Sequence, residues 1–132
     1  MKIAIDTNVL VRSLVRDHAA QAERAAVLLR EASLVAVSLP CLCEFAWVLD
    51  SVYELSRDQI ADAIETLCGA SNVAIDQEAV DAGLDMLRAG GDFADGILAY
   101  AGAWLGGETF VSFDKRAVSL LTKQGRQARL LA

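Results

Sequence analysis

Along the chain, short runs of β-branched and other apolar residues alternate with longer stretches whose apolar positions recur every three or four residues. The first run, Lys2-Ile3-Ala4-Ile5, stops at Asp6-Thr7-Asn8, and Val9-Leu10-Val11 then resumes with helical spacing as far as Arg16. A buried strand, a tight turn and a helix are predicted there, and any of the three polar residues could cap the helix. Ala22, Ala25, Ala26 and Leu29 place a second helix over 19–31, and Leu34 to Val37 reads as the next strand. Pro40, the one proline, suits the first turn of a helix running to about Tyr53. Ile60, Ala63, Ile64 and Leu67 predict a helix over 57–68, followed by a turn at 69–72 and a strand at 73–75. A helix over 77–88 ends at Ala89-Gly90-Gly91, and Asp92-Phe93-Ala94-Asp95-Gly96 opens an almost wholly apolar helix that reaches Leu105. After Gly106-Gly107, Thr109 to Phe113 is strand-like, Lys115 to Leu121 is helical, and Ala128 to Leu131 could form an edge strand.

Strands that alternate with helices predict an α/β fold, with a central, mostly parallel sheet and helices on both faces. No repeat, low-complexity segment or second domain interrupts residues 1–132, so one domain is expected. In such sheets ligands bind beyond the carboxyl ends of the strands. Asp6 and Asp114 each end a strand and begin a helix, which assigns both to that edge.

One helix breaks the usual rule. Between Ala32 and Leu49 the sole charged residue is Glu44. A solvent-facing helix repeats its charges at helical spacing, so Glu44 is expected to point into a partly buried place. A buried carboxylate must be protonated, paired or bound to metal. Asp92 and Asp95 are three apart and share a face at a helix start. Asp92 could be merely the cap. Asp95, already inside the helix, is harder to explain that way, although a first-turn acid does favour the helix dipole.

With 55% apolar residues, the chain can bury a core without disulfides or structural metal. No charge-free stretch approaches the roughly 18 residues of a membrane span. Asp6 and Arg12 interrupt any apolar signal core, and a cytoplasmic protein is expected. Cys41, Cys43 and Cys68 are odd in number and lie in apolar surroundings, so they read as core residues rather than zinc ligands.

The net charge of −6 is unevenly spread: twelve acids lie between Glu44 and Asp95 against Arg57 and Arg88. Lys115, Arg116, Lys123, Arg126 and Arg129 follow Asp114 with no acid among them, and Arg12, Arg16, Arg24 and Arg30 weight the first helices. Acids that hold a cation, flanked by bases that meet phosphates, would give this pattern. If Asp6, Glu44, Asp95 and Asp114 converge, their repulsion needs a counter-charge. All-oxygen ligation selects Mg²⁺ or Mn²⁺ over zinc, and such metals suit phosphodiester hydrolysis. His18 is the one histidine and sits in a polar connection, without the partners of a nucleophilic triad.

Ile5-Asp6-Thr7-Asn8, the lone Glu44, the stretch Asp92 to Ala99, and Val111-Ser112-Phe113-Asp114 together resemble the four acidic motifs of PIN-domain nucleases. Length and order are similar in particular to the VapC-type toxins of toxin–antitoxin pairs. The resemblance implies metal ligation by Asp6, Glu44 and Asp95, by Asp114 directly or through water, with Asp92 as a further contributor. Thr7 and Asn8 would support the first aspartate and the scissile phosphate, with Lys115 and Arg116 as further substrate-supporting residues. It also implies a Mg²⁺- or Mn²⁺-dependent endoribonuclease, a homodimer, and a small cognate antitoxin that occludes the site. Gly96 departs from the family's more frequent alanine, and is expected to loosen the helix start slightly without affecting a ligand. Two rivals stand beside this reading. One is a catalytically silent RNA- or protein-binding domain. The other is a haloacid-dehalogenase-type phosphatase, which would want an acid where Asn8 stands.

Overall fold

A computed structural model describes residues 1–132, as seven helices and five short strands. The order is β1 (Lys2–Ala4), α1 (Thr7–Val15), α2 (Ala19–Glu31), β2 (Leu34–Ala36), α3 (Leu39–Ser51), α4 (Arg57–Cys68), β3 (Val73–Ala74), α5 (Gln77–Arg88), α6 (Phe93–Trp104), β4 (Phe110–Ser112), α7 (Lys115–Lys123) and β5 (Ala128–Leu130). Every predicted element is present, with ends that differ by a residue or two. The chain divides into two compact units, Met1–Asp76 and Gln77–Ala132.

In the first unit β1, β2 and β3 form a parallel sheet in that order, with Ile3 opposite Val35 and Val35 opposite Val73. Parallel neighbours require crossovers, and α1–α2 and α3–α4 provide them. The opening strand is not buried as expected. β2 is central and Val35 is fully buried, whereas β1 and β3 are edges whose residues remain half or wholly exposed. Leu10, Leu42, Phe45, Leu49, Ile60 and Ile64 make the core of α1, α3 and α4. Ser38 caps α3 by accepting from Cys41 N at 3.3 Å, and Pro40 lies in that first turn. Ser56 and Gln59 form a reciprocal capping box on α4.

In the second unit β4 and β5 pair in parallel, with Val111 opposite Arg129. Met86, Ala99 and Leu121 form the buried cluster, with Phe110, Leu120 and Ala128 packed against it. α5 and α6 approach at two glycines. A Cβ on Gly83 would fall 2.6 Å from the Phe93 ring, and one on Gly96 would fall 2.4 Å from the Ala82 carbonyl oxygen. Gly96 therefore does more than loosen a helix start. It allows the backbone contact that seats α6, and that corrects the sequence expectation.

Candidate active site

In the first unit one buried hydroxyl, that of Thr7, adjoins Asp6 in sequence and reaches Glu44 through space. Asp6 occupies the N-cap position of α1 in extended conformation, yet its carboxylate takes no capping hydrogen bond. Capping thus does not account for this side chain, which remains exposed beyond the carboxyl end of β1. Thr7 follows and is buried, at 6% exposure. Its hydroxyl is 3.3 Å from Glu44 Oε2 and 3.8 Å from Cys41 Sγ, and it can donate to either. One proton cannot serve both, and the charged oxygen is the stronger acceptor. Thr7 therefore holds Glu44 of α3 against the start of α1. Burial pushes the Cys41 thiol above its ordinary value, against a lowering by Thr7, and the nearby charges of Asp6 and Glu44 push it the same way as burial. The two carboxylates thus share the surroundings of one thiol, close enough to act on it together.

Glu44 does not lie in the partly buried place expected of it; the residue is exposed. The scarcity of charge on α3 has another cause. Trp47 and Val52, which flank the outer face, are themselves 65% and 60% exposed, so the helix presents apolar surface to solvent.

The second unit gathers three acids. Asp92 is the N-cap of α6 and, like Asp6, makes no side-chain capping bond; its backbone oxygen accepts from Asp95 N at 3.1 Å. Asp114 is a working cap of α7. Its Oδ1 accepts from Arg116 N at 2.9 Å and Ala117 N at 3.2 Å, while its own N–H donates to Ser112 Oγ. That leaves Oδ2 uncommitted in the cap. Asp95 is half-buried, and its carboxyl is raised above the ordinary range by burial first, then by the charges of Asp92 and Asp114. The Arg116 guanidinium lies beside Gly90, in the turn that leads to Asp92. Lys115 and Asn8 are exposed.

Asp6 and Glu44 thus both act on the Cys41 thiol in one unit, and Asp92 and Asp114 both act on the Asp95 carboxyl in the other. In neither unit do three such side chains already stand in an arrangement that would hold a metal ion. The donor chemistry nonetheless fits a hard divalent cation. All donors are carboxylate oxygens, two of the carboxylates are released from capping, and a third is raised by burial and then by its like-charged neighbours.

A family model for the PIN domain matches residues 3–120. The chain belongs to the PIN domain family. The match takes in Asp6, Glu44, Asp92, Asp95 and Asp114, and with them a nuclease-type fold. It also removes the phosphatase rival. A comparison with curated proteins gave no match.

Outside these acids, sequence reading missed the pairing of Thr7 with Glu44 and the role of Ser112, because both depend on which strand end meets which helix. His18, read as a surface residue, is exposed and also caps α2, with Nδ1 accepting from Gln21 N at 3.4 Å. The cysteines form no disulfide, with Cys41 buried and Cys43 and Cys68 half-buried. No helix of the PIN domain is long and apolar enough to cross a membrane.

Proposed function

We propose that this PIN domain is a Mg²⁺- or Mn²⁺-dependent endoribonuclease that acts in the cytoplasm as the toxin of a VapC-type toxin–antitoxin pair. The supporting observation is the acidic group of the second unit. Asp95 sits at a helix start that should favour its charge, yet burial and the charges of Asp92 and Asp114 outweigh that help. A site under like-charge repulsion is the kind a divalent cation relieves. Asp6 and Glu44 in one unit, and Asp95 and Asp114 in the other, would be metal ligands, with Asp92 as a further candidate. When bound, the ion supplies acidification of a water and stabilisation of charge on phosphate oxygens. The chain's own part is to aim the carboxylates. Thr7 steadies Glu44, and the backbone of α7 fixes one oxygen of Asp114. Asn8, Lys115 and Arg116 would meet the RNA backbone.

Two surfaces support the partners. A groove of about 710 Å³ between α1, α3 and α4 is lined by Leu10, Leu14, Phe45, Leu55 and Leu67, and would take the apolar face of an antitoxin helix. The exposed Trp47 of α3 and Val52 just beyond its end suit a homodimer contact.

A second reading, a catalytically silent RNA- or protein-binding domain, draws on the lack of any three acids already arranged around a cation. One experiment separates the two. Purified protein incubated with labelled RNA should cut it with Mn²⁺ or Mg²⁺, and should not in EDTA or as Asp6→Ala. Cutting that persists in EDTA or in the variant defeats the nuclease proposal, and RNA binding without any cutting favours the silent domain.

A further inference from the structure

α1 and α2 enclose a second, smaller groove, of about 260 Å³, that none of the acids lines. Val9, Ala25 and Leu28 line it with apolar surface, and Asn8, Arg12, Gln21 and Arg24 add almost no polar surface inside, so their polar ends belong to its rim. Asn8 and Arg12 are four apart on α1, and Gln21, Arg24 and Leu28 follow helical spacing on α2, so each helix offers one face to the groove. Arg12 is held by Asp17 at 3.2 Å, and Asp17 in turn accepts from the Tyr53 hydroxyl at 3.0 Å. Arg24 has no acidic partner, and the side-chain amides of Asn8 and Gln21 make no hydrogen bond within the protein. The groove also starts beside the candidate site: Asn8 adjoins Thr7, which reaches Glu44.

We propose that this groove receives one unstacked nucleobase of an RNA strand whose backbone passes Asp6, and so reads base identity next to the cut. The proposal rests on the ribonuclease reading for its substrate class. Its chemistry is local to α1 and α2. A nucleobase is a flat apolar ring with a polar edge, and it needs an apolar wall, a plane to stack on and amides that can both donate and accept. Val9, Ala25 and Leu28 supply the wall. The Arg24 guanidinium, planar and uncommitted, supplies a stacking plane that also attracts the adjoining phosphate. Asn8 and Gln21 supply the edge contacts. An acidic peptide would use the guanidinium but leave the apolar wall and both amides without purpose. A lipid tail would use the wall but leave the guanidinium and both amides without purpose.

The test is run in EDTA to separate binding from cutting, by fluorescence anisotropy of a short labelled RNA. The bases are removed one at a time by abasic substitution. With the wild-type chain one abasic position should weaken binding by about tenfold, the scale of one lost stacking contact. Arg24→Ala should weaken the intact RNA by a similar factor and cost little further on that abasic oligonucleotide. Gln21→Ala should alter the preference among the four bases at that position. The proposal is overturned if Arg24→Ala weakens intact and abasic RNA equally, which marks a phosphate contact alone, or if it changes neither. Circular dichroism of the two variants guards against misfolding, and since both residues are exposed in α2 their spectra should match wild type. Mn²⁺-dependent cutting by the wild-type chain is scored separately. Base-dependent binding without cutting would retire the nuclease reading and leave the groove standing.

Discussion

Gly96→Ala installs the residue more frequent at this place in the family, and helix propensity alone says it should help. Alanine is better than glycine inside a helix by about 1 kcal/mol. The surroundings of Gly96 reverse the sign. The added Cβ would stand 2.4 Å from the Ala82 carbonyl oxygen, 2.8 Å from Gly83 Cα and 2.9 Å from the Ala82 carbonyl carbon. All three are backbone atoms of α5, so no rotamer change can make room. A carbon needs roughly 3.3 Å from a carbonyl oxygen, and relief therefore requires α6 to retreat by about 1 Å. A gap of that size forfeits a quarter to a half of each dispersion contact along the seam. Overpacking of this kind costs about 1–3 kcal/mol, at the upper end here because the neighbour is rigid.

The net expectation is destabilisation by about 1–2 kcal/mol, or a fall in Tm of roughly 3–8 °C for a domain of this size. Gly102→Ala is the control, because Gly102 lies in the same helix and nothing stands within 4 Å of its would-be Cβ. There propensity should prevail, and the variant should melt a few degrees above wild type. Both are read by thermal unfolding in EDTA, followed by circular dichroism. A Gly96→Ala protein that melts at or above wild type would refute the close seating of α6 on α5.

Three further outcomes are expected. Asp95→Asn should stabilise the metal-free chain at pH 7 while weakening Mn²⁺ binding. The Asp95 carboxyl is raised above its ordinary 3.8, so its ionisation costs stability once pH rises through the folded value and costs nothing below about 3.8. Melts in EDTA at pH 7 and pH 3.5 should show the gain at the first and its disappearance at the second; a variant less stable at pH 7 contradicts the cited cause. Asp114→Ala removes the acceptor for Arg116 N and Ala117 N and should cost about 1 kcal/mol, read by urea unfolding, whereas Asp6→Ala should cost less because Asp6 caps nothing. Asn72→Asp should destabilise by about 1–3 kcal/mol, since its Nδ2 donates to the Leu29 and Ala32 carbonyls at 2.8 and 3.0 Å and a carboxylate cannot; equal urea midpoints would count against it.

What could be read from residue order was whatever depends on near neighbours. Local pattern placed all twelve elements, because the period of each helix face and the β-branched runs of the strands are written locally. The acids were found for the same reason: Asp6 and Asp114 stand where a strand period gives way to a helix period, and Asp95 interrupts an apolar helix. Environment was harder to read than position. Glu44 was assigned to a buried place because α3 carries so little charge, but low charge has two causes, an interior or an apolar exterior, and the exposed Trp47 shows which one holds. Gly96 was read as a local softening, yet its reason is a carbonyl oxygen of another helix, fourteen residues earlier at Ala82. In both cases the missing quantity was a distance across the chain. The functional reading depends on a distance of the same kind. Asp95 is coupled to Asp92 and Asp114, and Glu44 to Thr7, through contacts that no local pattern encodes. Loss of Mn²⁺ binding is therefore a sharper probe of the site than loss of cutting, because it depends on the carboxylates alone and not on how RNA reaches them.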